Sequence, residues 1–141
     1  MSKRLFVVFS VLMVVGMLLT ACGPKAAAFE CTDAVGCLDL APDEPVHLAY
    51  MLTISGATAF LGEDSKGAIE IAMDDRGGQI LGHDIVLTGE DSGCNAEGGQ
   101  TAATKVASDP TIVGVIGTNC SSAATAAIDT ISDAGLVMIS S

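Results

Sequence analysis

Residues 112–116, Ile-Val-Gly-Val-Ile, form a short apolar run rich in β-branched side chains, bounded by Pro110 on one side and Gly117 on the other. Such a run reads as a strand buried on both faces, and strands of that kind belong to parallel sheets covered by helices. A helix follows at once. Ala123, Ala124, Ala127, Ile128 and Ile131 recur at three- and four-residue spacing, Ser121 or Ser122 is suited to cap the first turn, and Gly135 suits the position just past its end. The connecting loop, residues 117–122, therefore delivers a helix N-terminus to the carboxyl edge of a sheet. Unpaired N–H groups, the positive end of the helix dipole and two hydroxyls meet there, a combination that suits a carboxylate or a phosphate. A capped helix that binds nothing produces the same pattern, so the loop alone does not establish a site.

The same alternation runs through the chain from residue 46. Residues 46–55 read as a first strand, and a helix over 64–76 carries Ala68, Ile69, Ala72 and Met73 on one side before stopping at Gly77-Gly78. Residues 83–89 read as a second strand. A second helix over 97–108 presents Ala102, Ala103, Val106 and Ala107 and is ended by Asp109-Pro110, and residues 136–140 form a fourth strand. The order βαβαβαβ predicts an α/β fold: a parallel, Rossmann-like sheet with helices on both faces. If the strands lie in the order 2-1-3-4, the winding reverses between the first and third strands, and ligands of such sheets bind at that reversal, outside the carboxyl ends. The loops that meet there are residues 55–60 and 118–122. Roughly 95 ordered residues make a small α/β layer with nothing after its fourth strand, so residues 46–141 are expected to be the first part of an N-terminal lobe.

At the amino end, Lys3 and Arg4 precede an unbroken apolar run over residues 5–19, which closes on Leu19-Thr20-Ala21-Cys22 and is followed by Gly23-Pro24. A basic start, an apolar core and a small-residue cleavage site predict a secretory signal over residues 1–21. The run is shorter than the ~20 residues of a membrane-spanning helix. Leu-Thr-Ala-Cys also resembles the lipobox of bacterial lipoproteins, in which cleavage leaves a lipid-bearing cysteine at the new amino end, so Cys22 is the expected lipidation site. Residues 22–45, with three prolines and little periodicity, read as a lipidated tether. Removing the leader takes away Lys3 and Arg4, so six basic residues become four against seventeen acidic ones, and the net charge goes from −11 to −13. That balance argues against nucleic acid as a partner.

Lipidation of Cys22 leaves Cys31, Cys37, Cys94 and Cys120, an even number in an exported chain, open to three pairings. Cys31 and Cys37 are placed to close a small loop within the tether. Cys94 follows the second strand and Cys120 the third, so both lie at the same sheet edge; a bridge there would hold the Ser121 loop in position before any ligand arrives. No spacing suits a zinc site. His47 and His83 each stand at the start of a strand, where a solvated or hydrogen-bonded histidine is the ordinary case. The chain has no G-x-G-x-x-G, no G-x-S-x-G, no Cys–His pair and no acidic phosphoacceptor at a strand end, so neither a cofactor nor an enzyme activity is indicated.

Taken in order, His47-Leu-Ala-Tyr-Met-Leu-Thr-Ile-Ser-Gly56, Phe60-Leu-Gly62, Gly67-Ala-Ile-Glu-Ile-Ala72, Gly77-Gly78, Gly82, Cys94, Ala102, Val113-Gly-Val-Ile-Gly117, Cys120-Ser121 and Asp133-Ala-Gly-Leu-Val-Met-Ile-Ser140 resemble the leucine/isoleucine/valine-binding proteins. These are type I periplasmic binding proteins that feed ATP-driven importers. The resemblance covers residues 46–141 and implies two α/β lobes that close on an amino acid. It implies that Ser121 receives the ligand α-carboxylate, with Cys120 and Ser122 beside it, and that Phe60 packs on the ligand where family members usually carry tyrosine. Cys94 and Cys120 match the family's paired cysteines. After the fourth strand the family continues with proline and then small, hydroxylated residues that hold the ligand's ammonium group; here Ser141 stands where proline is usual.

The implied partners are a small-molecule amino acid and the membrane subunits of an ABC importer. The implied location is outside the cytoplasmic membrane, lipid-anchored on its periplasmic or extracellular face. The same family includes binders of amides, urea and aromatic acids. The same fold also serves as the ligand-sensing ectodomain of receptors, although a lipid anchor does not carry a signal across a membrane as a spanning helix does. Mass spectrometry of the amino-terminal peptide of the exported protein is expected to show a diacylglyceryl adduct on Cys22; an unmodified peptide beginning elsewhere would refute the lipobox reading.

Overall fold

The computed structural model describes residues 30–33 and 36–140. The expected signal over 1–21, the lipidation site Cys22 and the start of the tether lie outside the described residues. The chain divides into two compact units, Met1–Cys37 and Leu38–Ser141. Within the first, Cys31 and Cys37 are bonded to each other. Among the described residues, no helix is long and apolar enough to cross a membrane.

The second unit runs β1 (Val46–Leu52), α1 (Ala59–Asp75), β2 (Gln79–Ile80), β3 (His83–Asp91), α2 (Ala96–Ala107), β4 (Ile112–Gly117), α3 (Ser121–Asp133) and β5 (Val137–Ile139). The sheet order is β2-β3-β1-β4-β5. Strands β3, β1, β4 and β5 are parallel neighbours, which is the expected 2-1-3-4 order. From β1 the chain steps one way to β3, then reverses across β1 to β4 and β5. Right-handed crossovers place α1 on one face of the sheet and α2 and α3 on the other when the direction of stepping reverses.

The two faces are covered unequally. Ala49, Met51, Ile112 and Val115 pack against Ala102, Ala103 and Val106 of α2 and Ala127 and Ile131 of α3, all in one buried cluster. On the opposite face, α1 lies along Leu48, Ile85 and Ile116 and leaves a groove of about 490 Å³, lined also by Ile69, Ala72 and Met73. Because β1 alternates toward both layers, its residues Ala49, Met51 and Leu52 are 0–1% exposed, as a strand inside a parallel sheet requires.

Several details differ from the expectations. The first strand ends at Leu52 rather than at Ser55. Helix α1 begins at Ala59 rather than near residue 64, which puts Phe60 in its first turn instead of in a loop. A glycine inside a helix, as Gly62 is here, is ordinarily unfavourable. Here it is the point of closest approach: a Cβ on Gly62 would stand 1.9 Å from the carbonyl oxygen of Thr53. Strand β2 is an added element, two residues paired antiparallel with β3 through a tight turn at Leu81-Gly82, too short to leave a periodic signal. The N-cap of α3 is Cys120, not Ser121 or Ser122, and its side chain makes no capping bond. The bridged sulfur has no oxygen to offer.

Gly62→Ala is expected to destabilise the domain by about 2–3 kcal/mol, the range for overpacking against unyielding backbone. Urea unfolding followed by circular dichroism checks it. An unchanged midpoint would mean that α1 does not rest on Thr53.

Candidate ligand-binding site

The ladder between β1 and β4 ends at Met51 and Gly117. There β4 must leave the sheet, and Gly117 makes the turn with φ 125°, where a Cβ would stand 2.3 Å from the Met51 carbonyl oxygen. Only glycine fits so close to the neighbouring backbone. The loop that follows holds itself by its own side chains. Thr118 Oγ1 donates to the Cys120 carbonyl at 2.8 Å, and Ser140 Oγ, past the end of β5, donates to the Thr118 carbonyl at 2.9 Å. Cys120 is bonded to Cys94, the expected pairing, and so joins the ends of β3 and β4 across β1. A closed loop with a sequence separation of 26 stabilises by about 3.5 kcal/mol in the chain-entropy picture.

Helix α3 starts from this tethered loop. Ala123 and Ala124 both direct their N–H groups to the Cys120 carbonyl, at 3.1 and 3.0 Å. The N–H groups of Ser121 and Ser122 have no acceptor among the described residues. The Ser122 hydroxyl donates to the Cys94 carbonyl at 3.1 Å, so it serves the loop, while the Ser121 hydroxyl is exposed and without a partner among the described residues. Two N–H groups, one hydroxyl and a helix dipole thus point outward at one place, which is the chemistry that receives an anion. Of the four expected ligand residues, Ser121 presents its hydroxyl and Ser122 only its backbone; Cys120 supplies the tether. Phe60, 67% exposed, stands at the same carboxyl edge in the first turn of the helix that follows β1.

Two further residues, Asp91 and Asn119, organise this edge and are missed by motif reading. Asp91, the last residue of β3, accepts from the N–H groups of Ile54 and Gly93 at 3.1 and 2.9 Å and from the Ser55 hydroxyl. Asn119 Oδ1 accepts from the Thr53 N–H at 3.0 Å, and its Nδ2 is buried without a partner among the described residues. The signal that could have found both is a polar side chain just where a strand gives way to its loop at the carboxyl edge: Asp91 is the last residue of β3 and Asn119 lies two residues past β4. The Ser55 hydroxyl, opposed by partial desolvation and aided by the N–H groups of Gly93 and Ile54, holds the Asp91 carboxyl below its ordinary value of 3.8.

The histidines lie elsewhere. His47, at the amino end of β1, sits between the hydroxyls of Thr111 (2.7 Å) and Thr88 (2.9 Å), and His83 Nδ1 pairs with the Glu44 carbonyl at 2.7 Å. Both are hydrogen-bonded, as expected.

An open parallel sheet whose winding reverses beside two loops, with outward N–H groups held in place by a disulfide, defines a binding domain of the α/β class. The chain belongs to the periplasmic binding protein family, whose model matches residues 45–141. No curated protein matches it. Among solved structures, an ABC transporter substrate-binding protein from Sphaerobacter thermophilus is 27% identical, with a TM-score of 0.65 over 69% of this chain and 26% of that one. The branched-chain amino acid transporter substrate binding protein LivJ from Streptococcus pneumoniae, in complex with isoleucine, is 22% identical, with a TM-score of 0.63 over 68% of this chain and 28% of that one. A solute binding protein of an ABC transporter from R. palustris, in complex with benzoate, is 23% identical, with a TM-score of 0.61 over 67% of this chain and 27% of that one. The chain spans 26 to 28% of the length of these three.

The depressed Asp91 carboxyl sets a sign for acid stability. A group whose folded pKa lies below its unfolded value contributes stability that is fully present above the unfolded value and lost as pH falls through the folded one. Asp91→Asn is therefore expected to cost about 1 kcal/mol at pH 6, the net worth of a hydrogen bond, and progressively less as the pH falls below the ordinary value of 3.8. Asp109 is also held below its ordinary value, chiefly by the Thr111 hydroxyl, so Asp109→Asn measures the part of the acid response that lies outside this edge. Urea midpoints across this pH range decide the matter; an equal loss at every pH would remove Asp91 from the acid response.

Proposed function

We propose that this chain is the capturing part of a substrate-binding lipoprotein of an ABC importer, and that it takes a branched-chain or similar amino acid by its carboxylate at Ser121. One observation carries the reading: the Ser121 hydroxyl and the N–H groups of Ser121 and Ser122 face outward, without partners among the described residues, from a loop that a disulfide holds still. Isoleucine and benzoate, the ligands of two similar structures, share a carboxylate and little else, which agrees with a cradle built for that group. In this reading Phe60 supplies an apolar wall for the ligand's side chain, and Cys120 acts through the bridge rather than by contact. The protein binds and releases its ligand without chemistry, outside the cytoplasmic membrane, held by the lipid on Cys22 and served by the importer's membrane subunits. The benzoate complex favours an aromatic acid as the second candidate ligand, since Phe60 lacks the hydroxyl that tyrosine would bring.

A single lobe offers half a site, because closure by a second lobe removes the ligand from water and strengthens each polar contact. The chain freed of its leader is expected to bind α-amino acids with Kd at or above about 1 mM, roughly 4 kcal/mol of binding free energy or less. A form carrying a second lobe is expected to bind far more tightly and to lose about 1.5–3 kcal/mol on Ser121→Ala, the range for a hydrogen bond to a charged group. Titration calorimetry with amino acids, benzoate and the corresponding decarboxylated amines is the test. Amines binding as well as acids would end the assignment of the cradle to Ser121.

A further inference from the structure

The ladders of β1 stop before the chain does. Its last pairs are Leu52 with Asp91 on one side and Met51 with Gly117 on the other, and the Leu52 carbonyl still receives the Ser92 N–H at 2.9 Å. Beyond them run Thr53, Ile54 and Ser55. Thr53 is 0% exposed, so its N–H cannot turn to water and needs a protein acceptor. Asn119 supplies it from the β4 side, and Asp91 supplies the acceptor for Ile54 from the β3 side. Successive amides are thus claimed by side chains from opposite neighbours.

Thr53 is also the seat of α1, since Gly62 lies flush on its carbonyl. A line of contact therefore runs from the loop that ends in Ser121, through Asn119 and Thr53, to Gly62 and the helix turn that bears Phe60. We propose that Asn119 and Asp91 are the positioning residues of this site, setting where the Phe60 turn stands relative to Ser121. The proposal rests on the carboxylate-cradle reading only for its consequence in binding. The chemistry also explains the residue types. Asp91 can carry its charge because it is spent on three donors. Asn119, next but one to Ser121, offers a neutral acceptor; a carboxylate there would accept equally well but would repel an incoming anion. The cost is a buried Nδ2 left without a partner among the described residues.

The test uses the full chain with ¹⁵N NMR, hydrogen exchange and titration with leucine. Asp91→Ala is expected to speed exchange at Ile54 but not at Thr53, Asn119→Val the reverse, each by roughly tenfold or more, and both are expected to shift the Phe60 amide resonance. Asn119→Asp should keep Thr53 protected while weakening leucine, with the loss shrinking as salt rises. Asp91→Ala should weaken leucine by roughly 2- to 10-fold in the wild type and not further in Phe60→Ala, because it acts through the placement of that ring. If Asp91→Ala proves too unstable, Asp91→Asn keeps one acceptor and should give a smaller change of the same pattern. Unaltered exchange at Thr53 and Ile54, a still Phe60 resonance, or additive losses from Asp91→Ala and Phe60→Ala would overturn the proposal. If no amino acid binds the wild type, the cradle reading falls, and the exchange and Phe60 shifts still decide whether these two residues position the edge.

Discussion

Burial of β1 on both faces is the constraint on which the rest depends. Ala49 and Met51 press toward α2 and α3 while Leu48 turns toward α1, and neither layer reaches water through the strand. A strand so placed must find all its backbone partners within the protein. Two parallel neighbours serve that need as far as Leu52, and past it the backbone is served by polar side chains. The candidate site occupies the place where ladder bonding ends and side-chain bonding takes over. Polar groups gather there because buried backbone demands them, and a few are left facing outward.

The two sides of that edge are built with different firmness. Ser121 begins a helix whose Ala123, Ala127 and Ile131 are buried, whose backbone meets α2 at Gly99, and whose start is bridged to Cys94. Phe60 begins a helix in which Gly62 is the only residue fully buried, laid over a face it covers in part. Contact density of this kind sets local stability, so the serine side is the firm one and the phenylalanine side the compliant one. For a binder this division is useful. Under the proposed function, a ligand's carboxylate would meet fixed donors, while its variable apolar part would meet a surface that can adjust.

The architecture was legible in the sequence because period and punctuation agreed along most of the chain. Alternating β-branched runs and alanine-rich helical stretches pointed to the parallel sheet, the order 2-1-3-4 entered only as a condition that the structure meets, and the placement of Cys94 and Cys120 after successive outer strands matched their bridge. Apart from the two-residue β2, too short to leave a period, what escaped has a common cause: features set by tertiary contacts. Gly62 shows nothing of its role in the sequence until Thr53 lies under it. Ser121 looks like a cap until a disulfide takes Cys120 into that position and leaves the hydroxyl free. Asn119 and Asp91 look like loop polarity until the amides of Thr53 and Ile54 are found between them. Strand β2 owes its existence to β3 alone.

The bridge between Cys94 and Cys120 also ties the two flanks of the sheet together. The strands that bring the two sulfurs together, β3 and β4, are not neighbours; β1 lies between them. The sulfurs therefore meet across the enclosed central strand, and neither flank can part from β1 at this edge without straining a covalent bond. Local opening at this edge has to take both flanking strands together.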